Sequence, residues 1–257
     1  MIKGVLLDLS GTLHVADAPI PGAVLAVGRL EAAGLPLRFV TNTSRKTRAT
    51  LHAELCRMGF EIPLQHIFTA PLAARRFLER HRLRPYLLVH PNLVAEYQGL
   101  DRENPDAVLV GDAEDDFSYL KMNEAFRLLK GGARLLATGR TRYFEGDGGL
   151  QLDAGPYVAA LEYAAQTNAE VLGKPSADFF LVALAELGML PSECVMIGDD
   201  AESDIAAALA TGLQGILVQT GKYRQGDEAK IPRGDFLLAK DITAAVEKVL
   251  SLSGRAR

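Results

Sequence analysis

The chain has no tryptophan and only two cysteines in 257 residues, Cys56 and Cys194. Two thiols do not make the disulfide framework on which small secreted domains depend. Both read as reduced packing residues, Cys56 on a helix and Cys194 at the start of a buried strand. An excess of positive charge is also missing. Twenty-eight Lys and Arg stand against 32 Asp and Glu, for a formal net charge of −4. No long basic run occurs, so nucleic acid is not the expected partner. No stretch is long and apolar enough to cross a bilayer, and the chain opens on a short apolar strand instead of a secretory signal. These absences set the expectation of a cytoplasmic protein that acts without membrane or nucleic acid. Repeats and low-complexity tracts are absent as well. Apolar residues are plentiful, at 48%, enough to bury the core of one large domain or two modest ones.

Short apolar runs alternate with helical patterns along most of the chain. Strands are expected at 5–7, 37–40, 67–69, 86–89, 107–110, 134–137, 170–172, 195–197, 216–218 and 236–238. Helices are expected at 23–33, 45–58, 72–81, 117–129, 157–166, 177–187, 203–210 and 242–250. Such alternation defines an α/β protein with a parallel sheet covered by helices on both faces. In the first helix Leu25, Leu30 and Ala33 are expected to face the core.

Polar groups sit where the strands end. Asp8 closes the apolar run Val5-Leu6-Leu7, and Gly11-Thr12 turn the chain away from it. Thr41, Asn42, Thr43 and Ser44 follow the second strand, Lys174 follows the strand near 170, and Asp199, Asp200 and Asp204 follow the strand near 195. In a parallel sheet these ends share one crevice. Asp8 and Asp199 suit a hard cation such as Mg²⁺, which takes carboxylate oxygens, water and phosphate. Lys174 can offset the charge of a bound phosphate and of a nucleophile. Thr41, Asn42 and nearby backbone N–H groups can cradle phosphate oxygens, helped by the helix start that follows. Ser44 is alternatively an ordinary helix cap. No such strand-end group falls between about residues 85 and 167, which reads as an inserted unit with hinges at 82–85 and 166–168 and a Gly-rich surface turn at 145–149.

In this order the four motifs resemble the haloacid dehalogenase-like (HAD) hydrolase superfamily. The match covers essentially the whole chain. Longer stretches, Asp8-Leu9-Ser10-Gly11-Thr12-Leu13-His14, Arg38-Phe39-Val40-Thr41-Asn42-Thr43, Gly155-Pro156-Tyr157, Ala160-Leu161-Glu162-Tyr163-Ala164 and Val218-Gln219-Thr220-Gly221-Lys222-Tyr223, are similar to its type 2 capped, NagD-like subfamily IIA. The resemblance implies a Rossmann-like core from 1–82 and 169–257 and an inserted α/β cap at 83–168. It implies a Mg²⁺-dependent phosphatase in which Asp8 is the nucleophile and forms an aspartyl-phosphate. Asp8, Asp199 and the backbone carbonyl of Ser10 would hold the metal. Thr41, Asn42 and Thr43 would bind the phosphoryl group, and Lys174 would neutralise charge, steadied by Asp204 or Asp200. A homodimer is expected by the same analogy. In the cap, Arg140 or Arg142 could meet a phosphate or carboxylate of a small-molecule substrate, and Tyr143 could line its pocket. A solvated basic loop is the alternative.

Ser10 stands where the superfamily pattern has a second Asp that protonates the leaving group and then activates water. A serine hydroxyl is a poor proton shuttle, and losing such a group typically costs about 10²–10⁴ in rate. The loss matters least for leaving groups that depart unaided. Cleavage of pyrophosphate expels phosphate, a stable anion, and a protonated phosphoramidate already carries its proton. P–N and P–O–P substrates are therefore expected ahead of sugar phosphates. A phosphotransferase, or a weakly active or inactive phosphate-binding regulatory protein, is the competing expectation. His14 is a candidate for activating water, with a loop or capping role as its alternative. His52, His66, His81 and His90 read as surface or packing residues. The acidic cluster Asp112, Glu114, Asp115 and Asp116 reads as a helix start.

Overall fold

The computed structural model describes residues 1–146, 148–232, 234 and 236–254. The chain begins with β1 (Gly4–Asp8), β2 (His14–Val15), β3 (Ala18–Pro19), α1 (Ala23–Ala32), β4 (Leu37–Thr41), α2 (Arg48–Arg57) and β5 (Ile67–Thr69). Next come α3 (Ala70–His81), β6 (Pro85–Leu88), β7 (Ala107–Val110), α4 (Tyr119–Lys130), β8 (Arg134–Ala137), β9 (Tyr143–Gly146), β10 (Gly149–Leu152), α5 (Ala154–Ala165) and β11 (Glu170–Val171). The last stretch holds α6 (Ala177–Ala185), β12 (Cys194–Gly198), a π-helical turn (Ala201–Ala206) running into α7 (Ala207–Ala210), β13 (Gln214–Val218), β14 (Phe236–Ala239) and α8 (Ile242–Leu252).

Two compact units result. One comprises residues 1–41, 48–68 and 174–257; the other comprises 42–47 and 69–173. The second unit is wider than the 83–168 insert drawn from the sequence because α3 packs with it. Ala74, Phe77 and Leu78 of α3 share a buried cluster with Leu93, Tyr97, Leu109 and Leu136.

The first unit is built on a six-stranded sheet in the order β14-β13-β12-β1-β4-β5. β1 pairs in parallel with both β12 and β4, with Leu7 opposite Ile197 and Asp8 opposite Val40. β1 is buried along its whole length, which its unbroken apolar run requires for a central strand. Asp8 therefore stands at the carboxyl end of an interior strand. The second unit holds a four-stranded sheet in the order β11-β8-β7-β6, whose neighbours pair in parallel. Its antiparallel hairpin β9–β10 replaces part of the expected turn at 145–149; Asp147 in that turn lies outside the described residues.

Several local expectations differ from what is found. On α1 the core face is Ala23, Ala26, Val27 and Leu30, while Leu25 is 76% exposed. Spacings of three, four and seven fix that stripe, and Leu25 falls some 200° around the helix from Ala23. Cys56 is exposed, with its Sγ 3.6 Å from His52 Nε2, so it is not a packing residue; Cys194 is buried as expected. α2 begins at Arg48, so Ser44 lies four residues ahead of it and does not cap it. Glu114–Asp116 of the acidic cluster form a short 3-10 turn of their own and do not open α4, whose cap is Ser118. Instead Arg45 Nε donates to Asp112, Arg45 Nη1 donates to Glu114 at 2.8 Å, and Glu114 also meets His90 at 3.0 Å.

Candidate active site

Four side chains from three stretches of chain meet at the end of β1. Lys174 Nζ donates to Asp8 Oδ1 at 2.5 Å and to Asp204 Oδ1 at 2.6 Å. Asp8, Asp199 and Asp204 each offer an oxygen within 4.8 Å of the others, and all three are buried. β1 delivers Asp8. β12, beside it, ends at Gly198, and Asp199 follows directly. The π-helical turn then brings Asp204 back over that strand end, where a Cβ on Gly198 would stand 2.3 Å from its Oδ2. Only glycine admits the approach. A π turn of this kind widens a helix locally and is common at functional sites.

Asp200 has a different task from Asp204. Its Oδ1 accepts from the backbone N–H of Glu202 and Ser203 at 3.1 and 2.9 Å, capping the turn. Of the two, it is Asp204 that hydrogen-bonds Lys174, and its Oδ2 accepts from the Asp200 N–H at 3.2 Å. Both Asp204 oxygens therefore already have donors. Asp199 Oδ2 accepts from the Lys222 N–H at 2.7 Å, and Thr12 Oγ1 lies 3.5 Å from its Oδ1.

The electrostatics follow from burial. Three carboxylates face one buried ammonium, an excess of negative charge. Burial pushes Asp8 above the usual carboxylate range, against the pull of Lys174. Burial, reinforced by Asp204, raises Asp199 to about 6; burial also raises Asp204 to about 6 against the attraction of Lys174. Burial alone would lower the Lys174 pKa, but Asp204 and Asp8 outweigh it and hold the ammonium protonated. The unneutralised remainder is what a divalent cation would offset, and an all-oxygen donor set suits a hard one. Asp8 and Asp199 are the ligands of choice, since Lys174 and a backbone N–H already occupy Asp204.

Thr41 is buried at the end of β4, next to β1. Ser10 is exposed and bridges to His14 in the turn after β1. His14 Nδ1 lies 2.8 Å from the Ala16 carbonyl, a local loop contact. Asn42, Thr43, Arg142 and Tyr143 belong to the second unit. There Arg142 and Tyr143 are exposed, and Arg140 is paired with Glu162 at 2.7 Å. Sequence reasoning missed Thr12 and the segment 219–223, which both touch Asp199; the fact that 219–223 also follows a strand end was the available signal.

A parallel-sheet α/β unit with an acid–lysine cluster at the strand ends defines a class of hydrolase. A haloacid dehalogenase-like hydrolase model matches residues 5–103, and a HAD-hydrolase-like model matches 171–245. The chain belongs to the haloacid dehalogenase-like hydrolase family. It is 46% identical over 249 residues to haloacid dehalogenase-like hydrolase domain-containing protein 2 of Homo sapiens, covering 97% of this chain and 96% of that protein. It is 42% identical over 256 residues to the phospholysine phosphohistidine inorganic pyrophosphate phosphatase of Danio rerio, covering 97% and 95%. Among solved structures, NagD from E. coli K-12 superposes with a TM-score of 0.86 at 27% identity, covering 94% of this chain and 97% of that one. The 4-nitrophenylphosphatase of Thermotoga maritima superposes with a TM-score of 0.87 at 26% identity, covering 96% and 97%. These neighbours are of the NagD-like type that the sequence motifs suggested.

Proposed function

We propose that this chain is a Mg²⁺-dependent phosphatase that forms an aspartyl-phosphate on Asp8 and acts on a small phosphorylated substrate. The observation that carries the reading is Asp8 itself: a buried carboxylate at the end of an interior strand, hydrogen-bonded to Lys174 and grouped with two more carboxylates. Asp8, Asp199 and the Ser10 carbonyl would hold Mg²⁺, which when bound supplies positive charge against the phosphoryl oxygens.

The chain's own residues then do the following. A carboxylate oxygen of Asp8 attacks phosphorus, and the bond from phosphorus to the leaving group breaks as the new one forms. Water hydrolyses the aspartyl-phosphate, returning the Asp8 carboxylate and releasing phosphate. Lys174, fixed by Asp204, keeps its charge beside the nucleophile and stabilises the negative charge of the transferring group. Thr41, at the end of the strand beside β1, binds phosphoryl oxygens.

Ser10 sets the substrate class. No carboxylic acid stands at that position to protonate a leaving group, which favours pyrophosphate and phosphoramidates. One relative's name, phospholysine phosphohistidine inorganic pyrophosphate phosphatase, points the same way. Steady-state turnover of a panel with and without Mg²⁺ tests this. Imidodiphosphate and pyrophosphate are expected to outrun hexose monophosphates by at least about 10²-fold in kcat/KM, the lower end of the range for a lost general acid. The reverse order refutes the substrate class. The exposed Ser10 also favours a second reading, a phosphate-binding protein without useful turnover; Mg²⁺ binding with no hydrolysis of any panel member would establish that one.

A further inference from the structure

The stretch Val218-Gln219-Thr220-Gly221-Lys222-Tyr223 carries a family likeness but none of the groups that the proposed chemistry uses. It follows β13, the neighbour of β12 in the sheet. Its three central residues nonetheless each touch the site. Thr220 Oγ1 donates to the Gly11 carbonyl at 2.6 Å. The Lys222 backbone N–H donates to Asp199 Oδ2 at 2.7 Å. Gly221 lies between them with φ of +55°, and a Cβ there would stand 2.1 Å from Asp199 Oδ2 and 2.4 Å from Gly11 Cα. A Cβ on Gly11, itself at φ +89°, would meet the same carboxylate oxygen at 2.1 Å. Asp199 Oδ2 thus sits in a slot between two glycines from different loops, closed by one N–H.

The loop is braced to hold that shape. The Tyr223 N–H donates to the Thr220 carbonyl at 3.0 Å, and Tyr223 Oη donates to Glu228 at 2.9 Å. Arg224 Nη1 donates to the carbonyls of Gly221, Lys222 and Tyr223 at 3.2, 3.2 and 2.8 Å. A segment whose only business was to link β13 to the next element would not need an arginine on three successive carbonyls.

We propose that residues 219–223 are a positioning element of the active site. Thr220 fixes the Gly11 turn, and with it the Ser10 backbone two residues beyond Asp8. Gly221 and the Lys222 N–H fix the Asp199 carboxylate in a single orientation through its Oδ2. A ligating carboxylate held this way loses no rotamer freedom when a cation arrives, and groups in such supporting positions typically tune metal affinity by about 10–100-fold. The assignment rests on the phosphatase reading of the cluster.

Three variants of the full chain test it: Gly221→Ala, Thr220→Val and Thr220→Ser. Calorimetric titration with Mg²⁺ alone reads the cation site, and 4-nitrophenyl phosphate hydrolysis reads kcat and KM separately. Gly221→Ala is expected to weaken Mg²⁺ binding by about 10–100-fold. Thr220→Val is expected to lower kcat by about tenfold at nearly unchanged KM, and Thr220→Ser to recover it, because only the hydroxyl matters. If Gly221→Ala does not fold, the Thr220 pair decides alone. Unchanged Mg²⁺ affinity and unchanged kcat in folded variants of an active wild type overturn the positioning role and leave the phosphatase reading intact. A wild type that binds Mg²⁺ but hydrolyses nothing, with affinity lost in Gly221→Ala, supports the positioning role and defeats the phosphatase reading.

Discussion

At the scale of single residues, the site turns on which carboxylates keep a free hand. Asp204 has both oxygens engaged, by Lys174 and by the Asp200 N–H, and so serves as a brace. Asp200, an equal candidate for that role from the sequence, is occupied in capping the turn that carries Asp204. Choosing between them required the π-helical geometry, which no spacing rule predicts. Ser10 is the residue with the sharpest consequence. Replacing it by the missing acid, Ser10→Asp, should restore a proton to alkyl leaving groups and raise kcat/KM for a hexose monophosphate by about 10²-fold or more. The gain for 4-nitrophenyl phosphate, whose leaving group departs as an anion, should be much smaller. Parallel rate measurements on the two substrates check the difference.

At the scale of elements, much was legible because periodicity and burial agree. The apolar runs at β1, β12 and β13 read as interior strands, and as parallel neighbours in one sheet they end on one edge. Legibility failed where the signal is not a side chain. Residues 219–223 act through a backbone N–H, a missing Cβ and a hydroxyl aimed at a carbonyl, none of which looks like chemistry in a sequence. The β9–β10 hairpin reads as a turn in the sequence because its glycines outweigh a short alternation that includes exposed Tyr143, Leu150 and Leu152. Leu25 lies off the core stripe because helical angle, not apolar character alone, decides the buried face. That placement has a thermodynamic consequence. Leu30, fully buried on the core stripe of α1, should cost about 2–5 kcal/mol when cut to Ala, whereas Leu25→Ala should cost less than about 0.5 kcal/mol. Urea midpoints of the two variants at constant slope separate the cases.

At the scale of the whole chain there are two compact units: the first holds the acid–lysine cluster, and Asn42, Thr43, Arg142 and Tyr143 belong to the second. No helix among the described residues is long and apolar enough to cross a membrane. The two cysteines offer an internal gauge of the folded state. Cys56 is exposed, while Cys194 is buried in β12 and its thiol is pushed up to about 11 by burial. A raised thiol pKa means fewer thiolates, about one in a thousand at pH 8. An aromatic disulfide reagent should therefore modify one thiol per native chain at that pH, and the second only as the chain unfolds. Two fast-reacting thiols in the native protein would contradict the buried strand.

The central claim is that Asp8 attacks phosphorus within a cation-binding carboxylate cluster. Its most direct test is turnover of 4-nitrophenyl phosphate by Asp8→Asn, set beside wild type at saturating Mg²⁺, with far-ultraviolet circular dichroism confirming that both are folded. Loss of the nucleophile should reduce kcat by at least about 10³-fold, since no neighbouring group can replace a covalent step. Hydrolysis by folded Asp8→Asn at the wild-type rate would contradict the account.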